Sequence, residues 1–307
     1  MVTGTQADSV RQLDEESLRI FAEKGREGGA EIPQQGDANA VKVRRVIQIT
    51  HDLASRPFDQ LRILDVACGE GVYSIEAGLR GAQVIGVDAR TERMSHGIAC
   101  AKKNELPNVQ FQQVDIRSVS NETHGEFDVI FFLGILYHLD VPDLFHILKS
   151  MHGMCREFIV IDTHVARFVE TVEYGSQVYR GTKGREHQDS DLPDARRSRL
   201  LMSIDNTYNF QFTAESLVRL LNDVGFTSVF ECLAPLEPFK PSHRRTFVAH
   251  KGQRVKISTY PWLNDLVESD IQRRLQPTSP RPKKLKQRAT ALVKKLIDRL
   301  GYEIRLK

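Results

Sequence analysis

The sequence predicts an α/β protein built on a Rossmann-like, doubly wound, mostly parallel sheet of about seven strands that ends in an antiparallel hairpin. Three observations carry this expectation. Short apolar runs alternate with helical stretches from Leu61 onward, acidic residues close three of those runs, and the first run opens into a glycine turn, ILDVACGEGVY. Strand and helix in turn imply parallel strands covered on both faces and linked by right-handed crossovers.

Each element has its own signal. LDEESLRIFAEKG reads as a helix, with Asp14 as N-cap, Leu13 and Leu18 as a hydrophobic staple and Gly25 as the stop. After a Gly-rich loop, apolar or small residues recur at Val43, Ile47, Thr50 and Ala54, a helical spacing across 38–54. LRILDVA, AQVIGVD, VQFQQVD, FDVIFFLG and EFIVIDT then read as five strands. GVYSIEAGLRG, TERMSHGIACAKKNEL and VPDLFHILKSMHGM read as helices between them. From residue 165 to 212 the alternation lapses into a polar stretch, read as an insertion that forms a lid or acceptor pocket; a loop this long favours function. FTAESLVRLLNDVGF resumes the pattern as an amphipathic helix capped by Thr213, and TSVFECL and RRTFVAHKG complete the sheet as a hairpin. The expected organisation is a helical extension over 1–60, the sheet domain over 61–252, and a basic helical extension over 253–307.

Composition narrows the class. At 40% hydrophobic and 27% charged residues, the 307-residue chain has the makeup of a soluble globular protein. The net charge of +3 is uneven: 281–307 holds ten Lys or Arg against Asp298 and Glu303, so it carries +8 and leaves −5 on the first 280 residues. Within this tail Leu285, Ala289, Leu292, Leu296 and Leu300 share one helical face. Docking on protein, peripheral contact with an anionic membrane and contact with RNA phosphates are its three readings. The four cysteines lack C-x-x-C spacing, no apolar run has the length of a membrane span, and the start has no secretory leader, so a cytoplasmic location is expected. No His, Cys and acidic set has metal spacing, and no metal is expected.

The glycine turn poses the central question, which nucleotide it holds. Gly69 and Gly71 let backbone amides approach a ligand, but Ser74 stands where a dinucleotide fingerprint has its third glycine. Asp65, Asp88 and Asp115 close the first three strands. A ligand with ribose, adenine and a cationic amino-acid end suits these carboxylates, whereas a pyrophosphate does not. Asp88, seventeen residues past Gly71, lies where an acid accepts both ribose hydroxyls. After the fourth strand, FFLGILYHLDVP offers Gly134 for close packing and Tyr137 and His138 as polar groups for catalysis.

DVACGEG resembles the first motif of the class I S-adenosylmethionine-dependent methyltransferases, an acid followed by x-G-x-G-x-G, with Ala67 in place of the first glycine. Alanine there assumes a backbone that is not left-handed. The resemblance, which covers 61–252, implies S-adenosylmethionine as cofactor. It places Ala67, Gly69 and Gly71 along the methionine and ribose portion and Asp65 near the ammonium group. Asp88 and Ala89 would hold the ribose, Asp115 and Ile116 the adenine, and Leu133 and Gly134 the space beside the sulfonium. GILYHLDVP is further similar to the G-V-L-Y-H segment of the tRNA wobble-uridine carboxymethyltransferases, which implies a carboxylated cofactor bound by Lys42, Tyr137 and Arg244, with tRNA as partner. Asn206 and Tyr208, in SIDNTYNF, are the candidate contacts to the acceptor. The expected reaction is methyl transfer to a small-molecule or glycan-like acceptor. Carboxymethyl transfer to tRNA and a non-catalytic scaffold are the alternatives.

Overall fold

In a computed structural model of the chain, residues 35–232 and 243–253 are described. The helix read over 13–25, the Pro-rich loop over 234–243 except its last residue, and the basic tail lie outside them. The first described element is α1 (Gln35–Leu53). It is followed by β1 (Arg62–Val66), α2 (Val72–Gly78), β2 (Gln83–Asp88), α3 (Thr91–Lys103), β3 (Val109–Gln113), the single turn α4 (Asn121–His124), β4 (Phe127–Leu133), α5 (Asp143–Met154) and β5 (Cys155–His164). An insertion of β6 (Glu170–Tyr174), β7 (Gln177–Arg185), α6 (Pro193–Ser198) and β8 (Tyr208–Phe212) comes next. The chain then returns to the sheet through α7 (Ala214–Val224), β9 (Ser228–Cys232) and β10 (Arg244–His250).

The sheet order is β3-β2-β1-β4-β5-β10-β9, with β1 to β5 parallel and β10 antiparallel to both neighbours. The seven expected strands and their terminal hairpin are all present. Strand pleating sends alternate side chains to opposite faces, and the two apolar layers sort accordingly. Leu64, Val66, Ile130, Phe132, Ile159 and Ile161 pack with α5 and α7, through Leu148, Met151, Leu217 and Leu221. Ile63, Val129, Phe131, Phe158 and Val160 pack with α1, α2 and α3, through Val46, Ile75 and Cys100. The run Val129–Phe132 is apolar throughout because both faces are covered. Thr213 caps α7 as expected, its hydroxyl accepting from the Ser216 N–H at 3.2 Å. Cys68, Cys100 and Cys155 are buried, while Cys232 is half-buried.

The insertion differs from the polar stretch that the sequence suggested. Its strands form a separate antiparallel sheet in the order β6-β7-β8. Tyr179, Phe210 and Phe212 from it enter the apolar layer around α5. Ala166 N–H donates to Phe212 O, and Phe210 N–H donates to Leu139 O, so β8 is tied to the loops after both β5 and β4. The second sheet therefore stands at the carboxyl end of the first, where a doubly wound fold presents its ligand crevice.

The turn after β1 is fixed by packing as well as by backbone need. Gly69 and Gly71 have φ of +54° and +78°, in the left-handed region. A methyl group on Gly71 would meet the Phe111 ring at 2.6 Å and the Gly97 Cα at 3.2 Å. We therefore expect Gly71→Ala to destabilise the protein by about 2–4 kcal/mol without any ligand, from left-handed strain plus overpacking; urea denaturation of the purified variant checks it.

Candidate active site

Parallel strands bring their carboxyl ends to one edge, and the loops leaving β1, β2, β3 and β4 meet there. They enclose a cleft of about 840 Å³, open mouth included. Ala67 lines it from the first loop, Asp88 and Ala89 from the second, Asp115 and Ile116 from the third, and Leu133, Gly134 and His138 from the fourth. The opposite wall is the segment 201–206 of the insertion, including Leu201, Met202 and Asn206.

Two of the strand-end acids shape the loops around them. Asp88 accepts from Gly69 N–H at 3.0 Å through Oδ2 and from Arg90 N–H at 2.9 Å through Oδ1, so it binds the glycine turn and starts α3. Asp115 caps the turn after β3 by accepting from Arg117 N–H at 2.9 Å, and it pairs with the Arg117 guanidinium at 2.6 Å. Burial alone would raise the Asp115 carboxyl, but the Arg117 hydrogen bonds outweigh it and hold the group below the usual carboxylate range. Arg117 also pairs with Asp205 at 2.8 Å, which joins the loop after β3 to the insertion. Arg90 fastens the same wall: its guanidinium donates to the carbonyls of Arg197, Met202 and Ser203 at 3.0–3.1 Å.

Asp65 and Ala67 hold the surprises. Asp65 is 1% exposed and lies outside the residues that line the cleft. Its Oδ2 accepts from the Ser74 hydroxyl at 2.7 Å, so Ser74, at the third-glycine position, serves the turn from below. Ala67 has φ of +52°. The expectation of an ordinary backbone there is therefore corrected: alanine occupies a left-handed position that a glycine would fill without strain, at a cost of about 1 kcal/mol.

After β4, Tyr137 and His138 sit in the 3₁₀ turn Leu136–His138, their rings 4.4 Å apart between centroids; of the two, only His138 lines the cleft. The Tyr137 ring also lies 4.4 Å from His164 and 5.8 Å from the Arg244 guanidinium carbon. A Cβ on Gly134 would lie 3.4 Å from Arg244 Nη2 and 3.7 Å from the Tyr137 hydroxyl, so these groups crowd the same point. Arg244 is anchored by Asp162, which accepts from its Nε at 2.6 Å and from Thr246 Oγ1 at 3.0 Å. Burial and the neighbouring Arg244 and His243 lower the His164 imidazole to about 4, which keeps it neutral near pH 7. Lys42 is on α1 and does not line the cleft; Arg45, on the same helix, reaches Thr246 Oγ1 at 3.5 Å.

Asn206 lines the cleft and donates to the His138 carbonyl at 3.3 Å. Tyr208 does not line it. Its ring lies under Lys183 and Arg185, and its hydroxyl accepts from Arg185 at 3.0 Å, so it braces β7 against β8. Glu186, which sequence reasoning missed, accepts from His138 Nδ1 at 3.0 Å across 48 positions of chain. No local motif marks it, because its partners come from the fold.

Burial lifts the Asp65 carboxyl to about 7, against the hydrogen bonds from Ser74 and helped by the charge of Asp88. An unfolded Asp ionises near ~4, so between those values the native state binds the extra proton and stability falls as pH rises. From pH 5 to pH 7 this one group should remove about 2 kcal/mol from the unfolding free energy. Urea titrations at the two pH values should show that loss in the wild type, relative to Asp65→Asn.

Residues 63–157 match the family described as methyltransferase domain. The ubiquinone biosynthesis O-methyltransferase of Acinetobacter baumannii strain AYE is 27% identical over 118 residues, which cover 38% of this chain and 46% of that protein. The chain thus spans about half the length of this curated relative. Among solved structures, the N-terminal domain of EvdMO1 with SAH bound is 18% identical, with a TM-score of 0.53 over 68% of this chain and 81% of that one. Magnesium protoporphyrin IX methyltransferase (ChlM) from Synechocystis PCC 6803, also with SAH bound, is 13% identical, with a TM-score of 0.52 over 78% and 96%. The strand order and the glycine turn are thus those of a fold shared with these methyltransferase structures, and residues 63–157 match a methyltransferase domain.

Proposed function

We propose that the protein transfers the methyl group of S-adenosylmethionine to a hydroxyl oxygen of a small molecule. The observation that carries this reading is the single cleft that joins the glycine-turn residue Ala67, the acids Asp88 and Asp115, Gly134 and His138. Its donor set suits the cofactor. Two carboxylates match ribose and adenine-side donors, while Val87, Val114, Ile116 and Leu133 supply an apolar slot of the kind a flat base enters. Asp88 and Ala89 would hold the ribose, Asp115 and Ile116 the adenine, and Ala67, Gly69 and Gly71 the methionine portion. When bound, the cofactor supplies a methyl group already activated by its sulfonium.

The protein's own work is then to orient the acceptor, exclude water and take a proton. His138 faces the cleft and acts as the base that accepts the acceptor's hydroxyl proton as the oxygen–methyl bond forms. Tyr137 packs between His138 and His164, and Asn206 holds the His138 backbone. Leu201 and Met202, which are 78% and 38% exposed, give the opposite wall an apolar lip. That lip suits an acceptor with an apolar or aromatic face. The O-methyltransferase relatives favour oxygen over nitrogen or carbon.

A second reading, carboxymethyl transfer from a carboxylated cofactor, draws on Arg244 and Tyr137 beside Gly134. Mass spectrometry of nucleosides released from the purified protein separates the two. Ordinary S-adenosylmethionine or its demethylated product is the expected finding, and a carboxylated nucleoside would replace the first reading.

Asp88→Ala should weaken S-adenosylhomocysteine binding about 10–100-fold by calorimetry, the loss of one or two charge-assisted hydrogen bonds. An unchanged affinity would remove the ribose assignment. With the cofactor site intact, His138→Ala should lower the rate of methyl transfer to a hydroxyl-bearing acceptor that the wild type methylates about 100-fold or more, measured with radiolabelled cofactor.

A further inference from the structure

Glu186 follows the last residue of β7 and is 7% exposed. A carboxylate in so dry a place needs donors on both oxygens. It has them. Oε1 accepts from Asn209 Nδ2 at 2.5 Å and Oε2 from Ser203 N–H at 2.9 Å, while His138 Nδ1 lies 3.1 Å and 3.0 Å from the two oxygens. Burial alone would raise this carboxyl. The hydrogen bonds from His138, Ser203 and Asn209 outweigh it and leave the group below its ordinary value, hence ionised.

An ionised carboxylate offers only lone pairs, so a second lone pair on Nδ1 at 3.0 Å would be repelled. Nδ1 must carry the proton, and the lone pair of the neutral ring is then on Nε2. Nε2 has no hydrogen-bond partner among the described residues, and His138 lines the cleft. We infer that Glu186 is the positioning residue of the reaction: it locks His138 in the Nδ1–H tautomer, so that Nε2 stands ready as the proton acceptor for a hydroxyl-bearing substrate. This rests on the methyl-transfer reading above and goes beyond it, because it makes the insertion part of the active site. The residue after β7 supplies the carboxylate, β8 supplies Asn209 to orient it, and the wall segment supplies the Ser203 amide. In a proton transfer to Nε2 the ring becomes an imidazolium, and the buried negative charge of Glu186 stabilises the positive charge as it develops.

The tautomer can be read directly by nitrogen-15 NMR of the full chain labelled at histidine, in mildly alkaline buffer, with and without S-adenosylhomocysteine. His138→Gln assigns the signal among the ten histidines. The wild type should show a protonated Nδ1 and a bare Nε2. Glu186→Gln should shift the population towards protonated Nε2, since its amide can present N–H to the ring. A protonated Nε2 in the wild type, or the same tautomer in both proteins, would overturn the assignment. Should Glu186→Gln fail to fold, as judged by circular dichroism, the wild-type tautomer alone decides. Absence of S-adenosylhomocysteine binding would sink the methyl-transfer reading instead, and the tautomer would still be legible.

Discussion

One carboxylate organises both walls of the cleft. Asp88 accepts from the Gly69 N–H of the turn after β1 and from the Arg90 N–H that begins α3. The first bond ties the ends of neighbouring strands together, and the second sets Arg90 at the start of its helix. Arg90 then donates to three carbonyls between Arg197 and Ser203, which holds the insertion against the sheet domain. Each of those acceptors is a backbone group, so the wall is held by its course and tolerates variation in its side chains. Hydrogen bonds to charged groups are worth about 1.5–3 kcal/mol each, enough for this chain of contacts to fix a segment with an apolar, exposed tip.

Much of this arrangement was legible in the letters, for physical reasons that apply unevenly along the chain. A parallel strand buried on both faces is largely apolar, which made the cores VIFF and FIVI conspicuous. The acids at strand ends are displayed for the same reason: they break an apolar run at the point where the chain emerges. The insertion obeys neither rule. In ETVEY and QVYRGTKGR the inward positions are shared with glycine and threonine and the outward ones are mostly polar, so little apolar alternation marks the strands. YNFQF does alternate, yet it lies too far from other strand signals to suggest a partner. Glu186 was invisible because its meaning lies in His138, Ser203 and Asn209, which only the second sheet collects. Tyr208, which looked available in SIDNTYNF, is spent on bracing Lys183 and Arg185.

The glycine turn shows how a motif's residues divide between ligand and fold. Gly71 is required by the Phe111 ring and by Gly97 whether or not a nucleoside is present. Gly69 is different. The atoms that a methyl group there would meet belong to the end of the Arg93 side chain, which is flexible and could move. Its remaining constraint is the left-handed backbone, which it shares with Ala67. Alanine at that neighbouring site shows that this fold bears such strain, so the conformation alone cannot explain every glycine in the turn. Its amide, donated to Asp88, ties the turn after β1 to the end of β2.

Asp65 and Glu186 are both buried carboxylates, and their surroundings drive them apart. Asp65 receives only Ser74 against full desolvation and the charge of Asp88, so the proton is retained up to about 7. Glu186 receives a ring N–H, an amide side chain and a backbone N–H, and remains charged. The first can tolerate neutrality because its side-chain partner is the uncharged Ser74 hydroxyl. The second cannot, because a neutral acid beside Nδ1 would no longer dictate where the imidazole keeps its proton. The difference in hydrogen-bond supply thus separates a structural carboxyl from one suited to proton chemistry, although both sit in the same dry interior.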